Sequence, residues 1–534
     1  MNVLMLCWWL LVQSLSVAAE VLRYPPALPG VAVSSTWRVF VANENEEVEV
    51  PVAFFEGSAS RGLGPPRTSA SVARFFAGTC RVEWLAAAPN TTGLLREIGR
   101  TTHVEFPDAT FPVSAGTNYA LNVGDDWLFL WVDADLAEAQ DAAEVLGPGE
   151  HLSGPMDAST SLALEPGAVL RYDGARQTNL VSFLSVTTDD VRISGGGAID
   201  ATGAPGHALY VKDCKRFELD DVFVFGSGGW AVLVRNVTDV NIRRAKVFSG
   251  ADGIDLDSTI GALVEDTFVN SWDDAVVVKT TLPARESALI LVRRSQVLSR
   301  KSAYKLGTES VSDFRNVSFL DVDGYDLDRG AVVYARDGGA VRDVSFRRVR
   351  FFFKDWSLSS DDDDKVFATA LDFELQHRSS LSSSSALFFG GGGGLRDLVV
   401  DTALLDGPLA NAAVLKGVDD QLPLADLLLA NVQVVLGDVP FPADDSDNSL
   451  LLCKNSFVSD TSVVAANVTV LPADFWAHSE EAATAWPQGL APGWTSHDAP
   501  PASFAICRRS FDRDEVPSEL SSSSSSLVVT SLSR

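Results

Sequence analysis

The sequence has few cysteines, few histidines and a deficit of basic residues, and each shortage excludes a class of protein. Its 534 residues include 5 cysteines and 6 histidines, and the cysteine spacings do not suit a zinc site. Lysine and arginine together number 42 against 71 acidic residues, which gives a formal net charge of −29. Because phosphate backbones are bound through Lys and Arg, this balance argues against a nucleic acid partner.

Long apolar segments are also lacking after the first residues. The opening, MNVLMLCWWLLVQSLSVAAE, has a short apolar core that ends in small residues, which predicts a secretory signal peptide over residues 1–19. No other stretch approaches the ~18–20 uninterrupted apolar residues of a membrane span. We therefore expect a secreted, extracellular monomer with no membrane attachment. Four N-glycosylation sequons agree with a secretory route, at Asn90, Asn236, Asn316 and Asn467.

The cysteines beyond the signal peptide are Cys80, Cys214, Cys453 and Cys507. They allow three pairings, and the sequence does not choose among them. A chain of this size does not need disulfides to fold, so we expect any stabilisation by these cysteines to be incidental.

A short pattern of apolar and polar residues recurs through the middle of the chain. Its copies read FELDDVFVF, VNIRRAKVF, ALVEDTFVN, ILVRRSQVL, VSFLDVDGY and VSFRRVRFF, with the third residue at positions 219, 242, 264, 292, 319 and 346. Subtracting these positions gives intervals of 23, 22, 28, 27 and 27 residues. Looser copies place Ile193 before the series and Phe373, Val400 and Leu429 after it.

Periods of about 20–50 residues indicate units that stack and bury their apolar faces against their neighbours. These units are rich in Val, Ile and Phe and have no amphipathic helix of useful length, which excludes leucine-rich and helical repeats. They predict an all-β, right-handed parallel β-helix of about ten coils, whose strands stack at ~4.8 Å. A β-sandwich of irregular hairpins is the alternative; it explains the strands but not the aligned period.

The character of the sequence changes on either side of the repeat. Residues 20–140 contain strand-like runs such as WRVFVAN and DDWLFLWVD between turns with Pro and Gly, which predict a small N-terminal β-sandwich-like domain. We assign residues 141–475 to the β-helix and residues 476–534 to a C-terminal segment with a disordered Ser-rich tail. Low-complexity insertions are predicted to be mobile loops between coils, near Asp361, Ser380 and Gly390.

Two consecutive repeats carry aspartates, in the segments SGADGIDLDS and NSWDDAVVVKTT. Asp252 and Asp273 are 21 residues apart, about one coil, so stacking brings them to adjacent rungs of one face, and Asp274 follows directly. Hydrolysis of a sugar bond requires one carboxylic acid to protonate the leaving oxygen and one carboxylate to activate water, ~6.5–9.5 Å apart in inverting enzymes. Crowding raises the pKa of at least one carboxyl group, which keeps that group protonated.

Clustered aspartates also occur in turns and in metal sites. Asp is a favoured turn residue, and we interpret Asp255 and Asp257 as turn or ladder residues. A calcium site is the main rival for Asp252, Asp273 and Asp274, because hard cations also bind clustered oxygens. We expect catalysis by these three residues without a metal or a cofactor.

The segments around these aspartates resemble a known family. ISGGGAIDATG, GGWAVLV, ADGID and WDDAVVVK are similar to the polygalacturonases of glycoside hydrolase family 28 and to the related family 49 dextranases, in the pectin-lyase-like β-helix superfamily. The resemblance covers about residues 125–350 and implies a glycosidase whose β-helix is the catalytic domain. It makes Asp273 the general acid, with Asp252 and Asp274 positioning and deprotonating the water that inverts the anomeric carbon.

Two departures from that family bear on the substrate. KSAYKLGTES stands where polygalacturonases carry Gly-His-Gly, so Tyr304, Lys305 and Glu309 become candidates for sugar contacts, beside Lys279 along the cleft. DRGAVVYARDG stands where polygalacturonases carry an Arg-Ile-Lys segment that grips a uronate, with Arg336 as the nearby candidate. The polysaccharide is therefore open, between polygalacturonan or a decorated pectin and a neutral glucan such as dextran.

Two other functions compete with hydrolysis. A β-helix lyase or epimerase needs calcium or a basic residue beside a uronate, and no such set stands out in the sequence. A noncatalytic glycan-binding protein of the cell surface is the alternative outside enzymes. A hydrolase releases reducing ends, a lyase releases unsaturated ends, and a binding protein releases neither.

Overall fold

The computed structural model describes most of the chain from residue 27 to residue 471 and two residues beyond it. The described residues are 27–42, 46–55, 69–76, 78–86, 91–98, 100–133, 142–173, 182–354, 368–375, 394–407, 409–416, 427–436, 453–456, 463–471 and 508–509. Regular structure in these ranges is β-strand throughout, and they contain no helix long and apolar enough to cross a membrane. The predicted signal peptide, the low-complexity insertions and the Ser-rich tail lie outside the described residues.

The chain divides into two compact units. The first consists of Met1–Phe55, Ser69–Glu97 and Thr101–Leu136, and the second of Glu56–Thr68, Ile98–Arg100 and Ala137–Arg534. The strands of the N-terminal region are β1 (Ala32–Val33), β2 (Trp37–Ala42), β3 (Glu47–Val50), β4 (Val52–Phe55), β5 (Ala70–Phe76), β6 (Gly78–Trp84), β7 (Thr92–Glu97), β8 (Arg100–Glu105), β9 (Asp108–Val113), β10 (Thr117–Val123) and β11 (Asp126–Asp133).

The N-terminal strands form two sheets. One has seven strands in the order β1-β4-β5-β11-β10-β7-β8, and the other has four in the order β3-β2-β6-β9. Strand residues alternate between buried and partly exposed positions, as in WRVFVA of β2, because successive side chains point to opposite faces. Val39 and Val82 of the smaller sheet and Leu121 and Leu128 of the larger one belong to the same apolar cluster. The two sheets therefore pack as a β-sandwich.

The second unit carries the remaining strands. Its first strands are β12 (Glu144–Leu146), β13 (Gly149–Ser153), β14 (Met156–Ala158), β15 (Leu162–Leu164), β16 (Ala168–Tyr172), β17 (Ser182–Val186), β18 (Val191–Ser194), β19 (Ala198–Asp200), β20 (His207–Lys212), β21 (Lys215–Asp220) and β22 (Phe223–Ser227). They continue as β23 (Val232–Arg235), β24 (Thr238–Arg243), β25 (Lys246–Ser249), β26 (Ile254–Asp257), β27 (Ile260–Glu265), β28 (Phe268–Ser271), β29 (Val276–Thr280), β30 (Ser287–Arg293), β31 (Gln296–Ser299) and β32 (Ser302–Ser310). The last ones are β33 (Phe314–Leu327), β34 (Arg329–Ala335), β35 (Val341–Phe353), β36 (Ala368–Leu375), β37 (Leu398–Gly407), β38 (Leu409–Lys416), β39 (Leu427–Leu436), β40 (Cys453–Ser456), β41 (Val463–Leu471) and β42 (Arg508–Arg509).

The strands of the second unit form a parallel β-helix. Each coil up to β32 contributes three short strands, and each strand pairs in parallel with its equivalent one coil later, as β24 does with β27 and β26 with β29. From β33 onward a single long strand replaces the first two of the coil, since β33 pairs with both β30 and β31. The last strand of every coil belongs to a 12-stranded sheet, β14-β17-β20-β23-β26-β29-β32-β34-β36-β38-β40-β42.

This topology confirms the predicted fold class, an all-β chain with a right-handed parallel β-helix after a small β-sandwich. The alternative of irregular hairpins is wrong, because the pairings among β12–β42 are parallel. With one strand per coil in its 12-stranded sheet, the described helix has slightly more coils than the ten or so predicted.

The repeated apolar position forms one continuous ladder through the interior. Register partners are Leu219 with Ile242, Ile242 with Val264, Val264 with Val292, Val292 with Phe319 and Phe319 with Phe346. Ile193, Val400 and Leu429 extend the same ladder, whereas Phe373 lies in β36 and stacks beside Val333. The rings of Phe319 and Phe346 stack with centroids 4.8 Å apart, which matches the inter-strand spacing.

Two cysteines lie among the described side chains. Cys80 and Cys214 are buried and carry free thiols, so neither takes part in a disulfide. Burial raises the pKa of the Cys214 thiol to about 11, with a smaller contribution from Asp189 and Asp213.

We predict that Phe319→Ala destabilises the β-helix by about 3–5 kcal/mol, because it leaves a cavity between stacked rings. Chemical denaturation followed by circular dichroism measures the change. Leu152→Ala is the matched control, because Leu152 is 65% exposed in the same unit and its truncation removes little buried area. Equal losses in the two variants would contradict the assigned interior.

Candidate active site

Three carboxylates converge where two consecutive coils turn into the 12-stranded sheet. Asp252 precedes β26, and Asp273 and Asp274 precede β29. The two turns stack through backbone hydrogen bonds, in which the Gly253 amide donates to the Asp274 carbonyl at 2.9 Å and the Asp273 amide donates to the Ala251 carbonyl at 3.3 Å. One carboxylate oxygen from each aspartate lies within 4.8 Å of the others.

Gly253 allows this close approach of the two turns. A Cβ atom at Gly253 would meet Val269 Cγ1 at 2.2 Å and the Ala275 carbonyl oxygen at 2.6 Å. A side chain at this position would therefore push Asp252 away from the coil that carries Asp273 and Asp274. The segment ADG thus fixes the spacing of the cluster.

Two buried lysines neutralise part of the charge. Lys279 Nζ lies 2.7 Å from Asp252 Oδ2 and 2.7 Å from Asp255 Oδ1, and it lies 3.5 Å from the centroid of the Trp230 ring. Lys305 Nζ forms an ion pair with Asp274 Oδ2, and the Ser302 amide donates to Asp274 Oδ1 at 3.2 Å.

The three carboxyl groups have different proton affinities. Burial, with the neighbouring Asp274 and Asp252 carboxylates, raises the pKa of Asp273 to about 7. Burial favours a higher pKa for Asp274, but Lys305, Ser302 and Lys279 together outweigh it, so the pKa of Asp274 lies below its ordinary value. Burial raises the pKa of Asp252 against the opposing effect of Lys279. The cluster therefore places a protonated acid beside an ionised carboxylate near neutral pH.

Asp255 belongs to the charged cluster, which the sequence did not indicate. It is fully buried in the middle of β26 rather than at a turn, and burial raises its pKa well above the ordinary value. Its register partners are Leu233 on one side and Val277 on the other. The alternation of IDLD in a strand, with apolar residues inward, was the signal that separates Asp255 from a turn residue.

Asp257 is the ladder residue that the sequence predicted. Its Oδ1 accepts a hydrogen bond from the Thr281 amide at 2.8 Å, and the same oxygen accepts one from the Ser258 hydroxyl at 2.9 Å. Arg235 Nε lies 3.2 Å from Asp257 Oδ2. These contacts join neighbouring coils and leave Asp257 out of the three-carboxylate cluster.

The structure separates the predicted substrate-binding residues. Lys279 and Lys305 lie in the cluster, and the half-buried Glu309 has its Oε2 atom 3.8 Å from Lys279 Nζ. Arg336 lies farther along the sheet, after β34, with its guanidinium 3.3 Å from Glu374 Oε2.

The prediction for Tyr304 is wrong. Its side chain is 0% exposed and lies inside the β-helix, where the hydroxyl donates to the Ser295 carbonyl at 3.1 Å and to the Asp323 carbonyl at 3.2 Å. Tyr304 and Lys305 are neighbours in β32, so they must point to opposite faces of the strand. Only Lys305 of the two faces the carboxylates.

The carboxylate oxygens approach one another closely. The sequence predicts the carboxyl groups of an acid and a base ~6.5–9.5 Å apart, as in many inverting glycosidases. In the structure one oxygen of each aspartate lies within 4.8 Å of one oxygen of each of the others, because Asp273 and Asp274 are adjacent in sequence and Asp252 lies one rung away.

The same three aspartates form the one group, among the described residues, whose carboxylate oxygens approach closely enough to hold a metal ion. Lys279 and Lys305 already lie against two of these carboxylates and offset their negative charge. Calcium requires about six to eight oxygen ligands, and ammonium groups in those positions compete with it.

Comparisons with known proteins find similarity in structure but not in sequence. No family model matches the chain, and no curated protein matches it. An exopolygalacturonase from Thermotoga maritima is similar with a TM-score of 0.46 and 15% identity, over 60% of this chain and 84% of that one. Dex49A from Penicillium minioluteum, a family 49 dextranase, has a TM-score of 0.45 and 9% identity, over 85% of this chain and 97% of that one.

A GH87 alpha-1,3-glucanase from Streptomyces thermodiastaticus is a third similar structure. Its TM-score is 0.35 at 11% identity, over 81% of this chain and 88% of that one. A polygalacturonase and a dextranase, the enzymes that the sequence resembles, are thus among the similar structures. At these identities and TM-scores the likeness assigns no role to any residue.

We predict that Asp273→Asn stabilises the folded protein at neutral pH by roughly 1–3 kcal/mol. The pKa of Asp273 rises from 3.8 to about 7 on folding, so wild type loses stability as the pH rises between these values. The amide of the variant carries no proton to lose, so its advantage should be largest above pH 7 and vanish below about pH 4. Denaturation of both proteins across this pH range measures the difference, and a gain that does not change with pH would rule out the assigned titration.

Proposed function

We propose that this protein is a polysaccharide hydrolase that cleaves an O-glycosidic bond, with Asp273 as the general acid. The observation that carries the proposal is the convergence of three carboxylates, one with a pKa of about 7 and two bound to buried lysines. Glycosidic hydrolysis needs such a division of roles between a protonated and an ionised carboxyl group.

The reaction follows from the placement of the protons. The Asp273 carboxyl group donates its proton to the glycosidic oxygen as the bond between that oxygen and the anomeric carbon breaks. A water molecule attacks the anomeric carbon from the opposite face, and its proton passes to Asp274, whose low pKa keeps it ionised beforehand. Asp252 accepts the second hydrogen bond of that water. Asp274 then releases its proton to solvent and Asp273 takes one up, which restores both groups.

The stereochemical outcome depends on whether a carboxylate or a water attacks. A spacing below ~5.5 Å is typical of retaining enzymes, in which the second carboxylate is the nucleophile. Here both candidate nucleophiles are held in ion pairs, Asp252 with Lys279 and Asp274 with Lys305, which weakens each as a nucleophile. Two adjacent carboxylates can hold one water between them, so we favour inversion.

We also propose that the substrate is an extracellular glycan. The N-terminal leader predicts secretion, and the side chains of two sequon asparagines, Asn236 and Asn316, are described in the structure. Asn316 is exposed at the surface of β33, while the Asn236 amide donates to Asp213 Oδ1 at 2.7 Å. Asn316 is therefore the more accessible of the two for a glycan.

The first test is the release of reducing ends from a panel of pectin, polygalacturonan, dextran and α-1,3-glucan below pH 7, where Asp273 is protonated. We expect wild type to cleave one of these polymers and Asp273→Asn to lose about 10²–10⁴-fold in rate. Asp321→Asn is the control, because Asp321 pairs with Arg348 outside the cluster.

Asp321→Asn should keep the wild-type rate. Unsaturated products that absorb ultraviolet light would indicate a lyase instead. Binding of a polymer without turnover by wild type would indicate a noncatalytic glycan-binding protein. Undiminished hydrolysis by Asp273→Asn would exclude this residue as the acid.

The second test is the configuration of the first product. Proton magnetic resonance of the anomeric signals, recorded before mutarotation, should show inversion at the anomeric carbon if water attacks directly. Retention would identify Asp252 or Asp274 as a covalent nucleophile, and trapping of a glycosyl-enzyme would then show which one.

A further inference from the structure

A column of serines runs along the corner of the β-helix that leads into the three-carboxylate cluster. Each serine is the last residue of the second strand of its coil and the register partner of the next, in the order Ser227, Ser249, Ser271 and Ser299. The chain then turns within a few residues into the 12-stranded sheet, and Asp273 lies two residues after Ser271. The serines therefore stand at the base of the turns that carry the cluster.

Two hydroxyl groups of this column meet at the backbone carbonyl of Asp273. The Ser271 hydroxyl donates to it at 2.8 Å from the same coil, and the Ser299 hydroxyl donates to it at 2.6 Å from the next coil. The Ser299 hydroxyl also accepts a hydrogen bond from the Lys301 amide at 3.0 Å. Both serines are 0% exposed, so water does not compete for their hydroxyl groups. A carbonyl oxygen has two lone pairs, so it can accept from both hydroxyl groups at once.

The other two serines of the column make single contacts within their own coils. The Ser227 hydroxyl donates to the Gly229 carbonyl at 2.9 Å, and the Ser249 hydroxyl accepts from the Ala251 amide at 3.2 Å. Within the described part of the column, only the Asp273 carbonyl receives serine hydroxyl groups from two coils. The double anchor thus coincides with the residue proposed as the acid.

The carboxyl group of Asp273 has no such anchor of its own. Among the described residues it accepts no hydrogen bond and forms no ion pair. Its neighbours differ, because Asp252 is paired with Lys279. Asp274 is likewise paired with Lys305. A general acid must present its proton to the substrate, and a side-chain partner would compete with that transfer. The orientation of this partly exposed acid therefore depends on the backbone that carries it.

Neighbouring coils hold that backbone on both sides. The Asp273 amide donates to the Ala251 carbonyl of the preceding coil at 3.3 Å, and the Asp273 carbonyl accepts from Ser299 of the following coil. With both polar groups anchored, the direction of the Asp273 Cα–Cβ bond is fixed. We propose that Ser271 and Ser299 are positioning residues, which hold the general acid through its carbonyl and leave its carboxyl group free to donate. This inference rests on the proposed function, because it takes Asp273 as the acid.

The test compares the kinetics of Ser299→Ala and Ser295→Ala on the polymer that wild type cleaves. Ser295 is a matched control from the same coil, since it is 1% exposed and its hydroxyl donates to the Arg293 carbonyl at 2.9 Å and accepts from the Thr267 amide at 3.3 Å. We expect Ser299→Ala to lower kcat about 10–100-fold with little change in KM, because a small displacement of the acid slows the chemical step without weakening binding. Ser295→Ala should keep the wild-type kcat and KM.

Two further measurements separate positioning from a general loss of structure. Ser299→Thr retains the hydroxyl group and should recover most of the kcat that Ser299→Ala loses. A dinitrophenyl glycoside of the released sugar has a leaving group that needs no proton, so Ser299→Ala should slow its hydrolysis far less than that of the polymer. Ser271→Ala should show the same contrast between the two substrates, because it removes the other donor to Asp273. Equal losses on both substrates would overturn the inference.

Denaturation across pH supplies a readout that needs no turnover. The stability gained through Asp273→Asn depends on the groups that act on the Asp273 carboxyl group, which are Asp274, Asp252, Lys305 and Lys301. An acid that is no longer held can move away from the neighbouring carboxylates, so the pH-dependent gain should be smaller in a Ser299→Ala background than in a Ser295→Ala background. Equal gains in the two backgrounds, or an unchanged kcat in Ser299→Ala, would overturn the inference. Unequal gains without hydrolysis by wild type would overturn the proposed function and leave the positioning of Asp273 by Ser299 supported.

Discussion

The parallel stacking of coils in register is the constraint on which the rest of the structure depends. Each coil repeats its strands at the inter-strand spacing, so a residue at an equivalent position lies one rung from its counterpart. Leu219, Ile242 and Val264 form the interior ladder in this way. The same stacking brings Asp252 to Asp273 and Asp274 on the outer face. The apolar core and the candidate site therefore both result from the same in-register repeat.

The buried carboxylates of the site are stabilised by lysines on the same sheet, which lie one coil further along the β-helix. Lys279 and Lys305 are separated from their carboxylate partners by one coil, so the strand register alone brings them together. Burying charges costs free energy even when they are paired. Buried apolar residues of the same strands, such as Val276 and Val278 of β29, offset that cost and support the charged cluster.

The sequence was sufficient to predict contacts between residues that are about one coil apart. The interior ladder and the meeting of Asp252 with Asp273 both follow from intervals close to one coil. The sequence was insufficient to predict which face of a strand a given side chain occupies. Tyr304 was misassigned because the bounds of β32 decide which face its side chain takes. Asp255, predicted as a turn or ladder residue, lies in the β26 ladder, but its ion pair with Lys279 was not predicted.

The distances between the carboxylates could not be predicted from the sequence. A repeat predicts that two carboxylates share a face, but their separation depends on how tightly two turns pack, which Gly253 controls.

The interval between Val264 and Val292 is longer than the one before it, yet both pairs are register partners. The extra residues lie between β29 and β30, where the chain leaves the 12-stranded sheet, and they do not disturb the rungs on either side. Length can therefore vary at the corners of the coils while the carboxylates and lysines keep their positions. Such a scaffold tolerates insertions that reshape the walls of the cleft, so specificity can diverge during evolution without relocating the chemistry.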